Sequence, residues 1–272
     1  MTYANIMVSV DHGADAEGRI KVAAHLADAF EGHTTGVAAQ LPDNAAAMVF
    51  PIGASCIYPV VPRATVVEGL DRARDLFRAA VGERSRVSWR SALEPGLDFL
   101  VGQARCADLV VVGRGYTDAV TGCLTPLDPA SVILAAGRPV LVVPPNIDHL
   151  EGRRVVVAWK DGREARRVVL DALPVLRLAS RVEVVAVTHG IGDSGAANVA
   201  TYLASHGIPA TSTELPSEGE TDAETLLDLA SEGSSDLIVM GAYGHGRLRE
   251  TVLGGVTRDI LRHCPICSFL SH

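Results

Sequence analysis

Short aliphatic runs recur along the chain, and between them apolar residues fall three and four positions apart. In the second half Val155–Trp159 is a continuous apolar run, as in a strand buried on both faces. Ala165–Leu176 then places Val168, Val169, Ala172, Leu173 and Leu176 on one helical stripe. Val182–Val187 predicts the next strand, Ala196–Ser205 a helix, Ala210–Leu215 a weaker strand and Glu224–Ala230 a helix. Leu237–Met240 follows as a short buried strand. Arg249–Arg262 predicts a helix stopped by Pro265, and Ile266–Leu270 closes the set. Strands and helices alternating in this way specify a parallel sheet with helices on both faces.

The same order occurs twice. Ile6-Met7-Val8-Ser9-Val10, followed by Gly13, matches Val155-Val156-Val157-Ala158-Trp159, followed by Gly162, 149 residues later. Ala107–Gly113 matches Ser235–Gly241 at 128 residues, and Pro139 matches Pro265 at 126. The fall in spacing leaves about 21 surplus residues between the first and fourth strands of the first half. Gln40–Ala64, with four prolines and no helical period, reads as their place and as a long loop or flap. The expected fold class is therefore α/β, two tandem doubly wound parallel sheets of five strands each. One unit spans 1–147 with the insertion near 41–64. The other spans 152–272, and the linker from Pro144 to Gly152 is too short to let them separate far.

Composition narrows the function. The 272 residues are 48% hydrophobic but only 4% aromatic, so Val, Ala and Leu must build the core. A formal charge of −8 argues against a nucleic-acid or anionic-membrane surface, which needs clustered Lys and Arg. No apolar run approaches the roughly 20 residues needed to cross a bilayer. The first residues carry no export signal, so a cytoplasmic protein is expected. Five cysteines, an odd number, exclude a complete disulfide framework.

In open parallel sheets ligands sit beyond the carboxyl ends of the strands. In the second half that place is filled by Gly241-Ala242-Tyr243-Gly244-His245-Gly246-Arg247, running on to Gly254-Gly255-Val256-Thr257. The glycines allow close approach of backbone to a ligand, and a nest of N–H groups with a helix N-terminus would hold phosphate oxygens. The Thr257 hydroxyl could add a hydrogen bond, and His245 could touch a phosphate. Arg247 and Arg249 either screen phosphate charge or form a solvated face. Ala158, Val187 and Met240, at strand ends, and Asp161 complete the candidate set.

Gly241, Gly244 and Gly254 have the Gly-x2-Gly-x9-Gly spacing, followed by a small residue, that resembles the ATP-binding loop of the universal stress protein family. The resemblance covers nearly the whole chain as a tandem of two such domains. It implies sheets of strand order 3-2-1-4-5, similar to adenine nucleotide alpha-hydrolases, and binding of ATP, ADP or AMP, with or without Mg2+. It also implies pairing of domains through their last strands, within one chain or between two in a homodimer, and a role as a stress-response sensor or regulator. Two positions depart from the family. Gly255 stands where a Ser or Thr is usual, and Lys160 stands where an acid ends the first strand, with Asp161 one place late. The first half departs further. No glycine follows Gly113 by three residues, and Pro126 and Pro129 remove N–H donors, so this copy is expected not to bind, although Asp11 matches the acidic position.

Other motifs are weaker. Gly13-x4-Gly18 lacks the Lys and Ser/Thr of a phosphate loop. Cys264-Pro265-Ile266-Cys267 has redox spacing but lies at a helix C-terminus, where the dipole opposes a thiolate, so structural thiols are expected. The histidines are scattered, with His263 and His272 read as surface residues. No nucleophile–base arrangement is legible, which predicts a binding protein and at most a slow ATPase. Two alternatives remain: an interaction module of the same fold that binds no nucleotide, and an alpha-hydrolase-type enzyme. The latter lacks its Ser-Gly-Gly-x-Asp-Ser type loop here.

Overall fold

The computed structural model describes residues 2–42, 61–115, 124–189, 192–217, 221–231, 235–244 and 255–272. The first half contains β1 (Asn5–Ser9), α1 (Ala16–Ala29), β2 (His33–Ala39), α2 (Arg63–Val81), β3 (Val87–Ala92), α3 (Gly96–Ala104), β4 (Leu109–Gly113), α4 (Pro129–Ala135) and β5 (Val140–Val143). The second contains β6 (Arg154–Ala158), α5 (Arg163–Leu176), β7 (Arg181–Thr188), α6 (Ala196–Ser205), β8 (Ala210–Pro216), α7 (Asp222–Ser231), β9 (Leu237–Gly241), α8 (Val256–His263) and β10 (Cys267–Ser271).

Each half has the expected 3-2-1-4-5 order, but the two sheets are one. The order is β3-β2-β1-β4-β5-β10-β9-β6-β7-β8. All neighbours are parallel except β5 and β10, which pair antiparallel through Val140–Val142 and Ser268–Leu270. The last strands of the two halves thus meet within the chain.

Alternation along the strands explains why both faces need cover. Leu109 and Val111 of β4 join one core layer with Ile6, Val8, Leu141 and Phe269. Val110 and Val112 join the other with Met7, Val140, Val142 and Leu270. Both layers cross the β5–β10 seam, so the halves share their core. Tyr3 reinforces the seam: its hydroxyl donates to the Asp171 carbonyl at 2.6 Å, and its ring stacks on Phe269 at 6.4 Å. Burial, followed by the Asp171 charge, pushes the Tyr3 phenol well above its ordinary pKa.

The surplus of the first half lies between β2 and β3. Part of it is the helix itself, since α2 has 19 residues and its counterpart α6 has 10. The predicted loop at Gln40–Ala64 is therefore shorter than expected at its far end, because α2 begins at Arg63; residues 43–60 lie outside the described residues. The helix predicted over Arg249–Arg262 also needs correction. Gly255 is an extended N-cap (φ −101°, ψ 140°) and α8 begins at Val256, because a glycine in the interior would cost about 1 kcal/mol against Ala. Gly18, part of the near phosphate-loop pattern, has a packing role instead. A Cβ there would stand 2.5 Å from the Ile147 carbonyl oxygen of the linker.

Candidate functional site

Three strands of the second half, β6, β7 and β9, end around one cavity of about 390 Å³. Nine predicted residues line it: Ala158, Asp161, Val187, Met240, Gly241, Gly244, Gly255, Val256 and Thr257. His245, Gly246, Arg247 and Gly254 lie outside the described residues. One end is apolar, formed by Ala158, Val185, Val187, Leu226 and Met240. The other is formed by the glycine turn and the start of α8.

The glycines have distinct reasons. At Gly241 a Cβ would come within 2.6 Å of the Ala165 backbone nitrogen, so the turn after β9 lies directly on the start of α5. At Gly244 a Cβ would stand 3.1 Å from Glu164 Oε2. Between them Tyr243 takes positive φ (58°), and its N–H donates to Thr257 Oγ1 at 3.3 Å. Thr257, expected to serve a phosphate, therefore also ties the turn to α8. The Gly255 N-cap supplies no side-chain hydrogen bond, and Gly255, Val256 and Thr257 at the start of α8 line the cavity.

The acidic groups are arranged differently from expectation. Asp161 is exposed and bound by Arg166 at 2.8–3.0 Å. Lys160 reaches Asp222 Oδ2 at 3.3 Å, and His189 Nε2 lies 2.6 Å from Asp222 Oδ1. Asp222 opens α7, yet it does not cap it. Thr221 and Glu224 form the reciprocal capping box, which leaves the Asp222 carboxylate at the cavity wall, 15% exposed. Glu164 is a second carboxylate on the wall. Burial works against its charge, but hydrogen bonds from Arg163 and from the backbone hold its carboxyl below the usual range. Trp159 completes the wall, its indole N–H donating to the Ser194 carbonyl at 2.9 Å. Asp222, Glu164 and Trp159 escape a reading based on spacing. Only the Thr-x-x-Glu pattern hints that Asp222 is spare.

The corresponding region of the first half holds a cavity of about 20 Å³ among Asp11, Phe99, Leu100, Leu124 and Leu127. Asp11 is engaged by Arg19 at 2.8 Å, both buried, and Arg19 Nε donates to the Ser9 carbonyl. A Cβ on Gly113 would meet Arg19 Nη1 at 2.1 Å, so this glycine makes room for a guanidinium. Asp128 caps α4, accepting from Ala130 and Ser131 N–H at 3.3 and 3.1 Å. A protein carboxylate thus caps this helix end, whereas the Gly255 N-cap of α8 offers no side chain.

The CxxC thiols are buried. Burial raises the pKa of both, and Cys267, next to Cys264 and Asp236, is pushed up to about 12. His263 is exposed, whereas His272 is partly buried with Nδ1 3.0 Å from the Ala242 carbonyl. Among the described residues no group of three His, Cys, Asp or Glu is placed to hold a metal, and no helix is long and apolar enough to cross a membrane.

Residues 178–267 match the model of the universal stress protein family. Over nearly the whole chain the structure is similar to a universal stress protein from Archaeoglobus fulgidus (TM-score 0.67, 14% identity, 98% of this chain and 95% of that one). It is also similar to a putative universal stress protein from Pseudomonas aeruginosa (0.55, 13%, 99% and 93%). A universal stress protein solved in complex with cAMP aligns with 53% of this chain and 98% of its own, at 23% identity and TM-score 0.36. No curated protein matches at the same stringency. The second half of the chain thus resembles the universal stress protein family over residues 178–267, and the whole chain has the two-domain fold of the solved universal stress proteins.

Proposed function

We propose that the chain binds one adenine nucleotide, ATP, ADP or AMP, in the second half, and acts as a sensor or regulator, with hydrolysis slow or absent. The observation that carries this reading is the cavity of about 390 Å³ lined by apolar residues and by the start of α8, whose Gly255 N-cap makes no side-chain hydrogen bond. An aromatic base suits the Val187–Met240 end, and phosphates suit backbone N–H groups at α8 and the glycine turn. The described lining residues include one cation, Lys160, and three carboxylates, Asp161, Glu164 and Asp222. Phosphate charge therefore needs a counter-ion. Mg2+ fits, since it is commonly held by one or two carboxylates together with substrate phosphates. Glu164 is the residue that would hold it. Omission of Mg2+ should weaken ATP binding by about tenfold, and Glu164→Gln should reduce that dependence. Calorimetry with and without EDTA reads both.

The first half contributes no nucleotide site in this reading, because Arg19, Leu124 and Asp128 fill the equivalent space. A stoichiometry of one nucleotide per chain tests it; two would overturn it. The alternative of an interaction module without nucleotide is favoured if millimolar ATP gives no saturable signal.

A further inference from the structure

A second cavity, of about 420 Å³, opens at the amino ends of the strands in the first half, far from the nucleotide site's carboxyl ends. We propose that it binds a phosphate monoester of a small, hydroxyl-bearing molecule.

Three arginines from separate segments line it: Arg90 of β3, Arg105 after α3 and Arg138 before β5. Their hydrogen bonds go to neutral acceptors. Arg90 Nη1 donates to Gln103 Oε1 at 2.6 Å, Arg105 donates to the Gly102 carbonyl, and Arg138 donates to the Ala104 and Arg105 carbonyls at 3.3 and 3.2 Å. These bonds orient the guanidinium groups without cancelling their charge, and none has an ion-pair partner among the described residues. The one carboxylate of the lining, Asp108, accepts from the Asn5 N–H. A cavity with this local charge stands out in a chain of net charge −8. Guanidinium forks match phosphate oxygens, and a monoester carries about −1.5 to −2 at neutral pH, which answers several arginines better than one carboxylate.

The neutral wall selects the rest of the ligand. Ser88 Oγ lies 3.0 Å from both His33 Nε2 and Thr35 Oγ1, a chain of donors and acceptors suited to hydroxyl groups.

The second half provides an internal comparison at the same sheet positions. There the strand pairing puts Glu183 where the first half has Thr35, Arg181 where it has His33 and Thr213 where it has Arg90. Glu183 accepts from Arg181 at 3.1 Å and from Thr213 at 2.6 Å, closing that shelf with the protein's own carboxylate. The first half lacks that carboxylate.

Calorimetry with glucose 6-phosphate as probe tests the proposal on the full chain. Saturable binding is expected in the parent and in Gly244→Val, with unphosphorylated glucose silent. Arg90→Gln, on an exposed edge-strand position, should weaken binding by about tenfold or more. Thr35→Glu, which installs the second half's carboxylate, should do the same, with circular dichroism checking that both variants are folded. No saturation by about 10 mM probe would overturn the proposal. So would loss in Gly244→Val with retention in Arg90→Gln, or glucose binding as well as its phosphate.

Discussion

Gly241 and Gly244 sit three residues apart in the same turn, but they answer to different physics. The space beside Gly241 is backbone, so Gly241→Ala must push α5 away and should cost about 1–3 kcal/mol in urea unfolding. The atom beside Gly244 is the end of the Glu164 side chain, which can move. Gly244→Val should therefore leave stability nearly unchanged and remove nucleotide binding. The acids separate in the same way. Asp222→Ala should weaken ATP binding more than Asp161→Ala, because both line the cavity but Asp222 is largely buried in its wall while Asp161 is exposed and held by Arg166. Titration of the two variants side by side measures the difference. The Cys267 thiol gives a pH signature. Its folded pKa is raised to about 12 from 9.0, so the unfolded chain loses the proton first as pH rises. Its contribution is complete below pH 9 and is lost as pH rises from about 9 towards 12. Urea midpoints at pH 8 and 10 should fall less in Cys267→Ala than in the parent.

The two equivalent helices α4 and α8 show how one element is turned to different ends. Asp128 caps α4 and stabilises it by about 1 kcal/mol, so Asp128→Ala should lower first-half stability by that amount. Gly255 gives α8 no side-chain cap. Gly255→Asp should stabilise α8 and abolish nucleotide binding, because a carboxylate would take the N–H groups proposed for phosphate. Sequence made most of these elements legible, since buried parallel strands appear as unbroken Val and Ile runs and α5 shows a full apolar stripe. The start of α8 was not legible: apolar spacing continues through Arg249–Arg262, and only backbone geometry at Gly255 breaks it. The site was legible where it rests on glycines, whose spacing is local. It was not legible at Asp222 and Glu164, which reach the cavity from α7 and α5 and become its neighbours only through the sheet order. Arg19 was hidden for the same reason, as nothing in its own neighbourhood shows that it lies against Gly113.

At the scale of the whole molecule, the β5–β10 seam makes two repeats one body. The paired edges that could have joined two chains are used inside this one, which leaves β3 and β8 at the edges of the sheet among the described residues. Phe269 belongs to the core shared across the seam, so Phe269→Ala should cost about 3–5 kcal/mol. The two tryptophans report the halves separately, Trp89 on β3 and Trp159 beside the cavity. Trp89→Phe and Trp159→Phe variants should unfold at the same urea midpoint, since a shared core couples the halves. The pseudo-symmetry does not extend to function: one half keeps a cavity of about 390 Å³ and its counterpart about 20 Å³. The measurement that bears most directly on this asymmetry is an ATP titration of the full chain by calorimetry, with Mg2+ present and Gly244→Val alongside. One site per chain, absent in Gly244→Val, is the predicted result. No saturable binding at about 10 mM ATP, two sites per chain, or one site that survives Gly244→Val would contradict it.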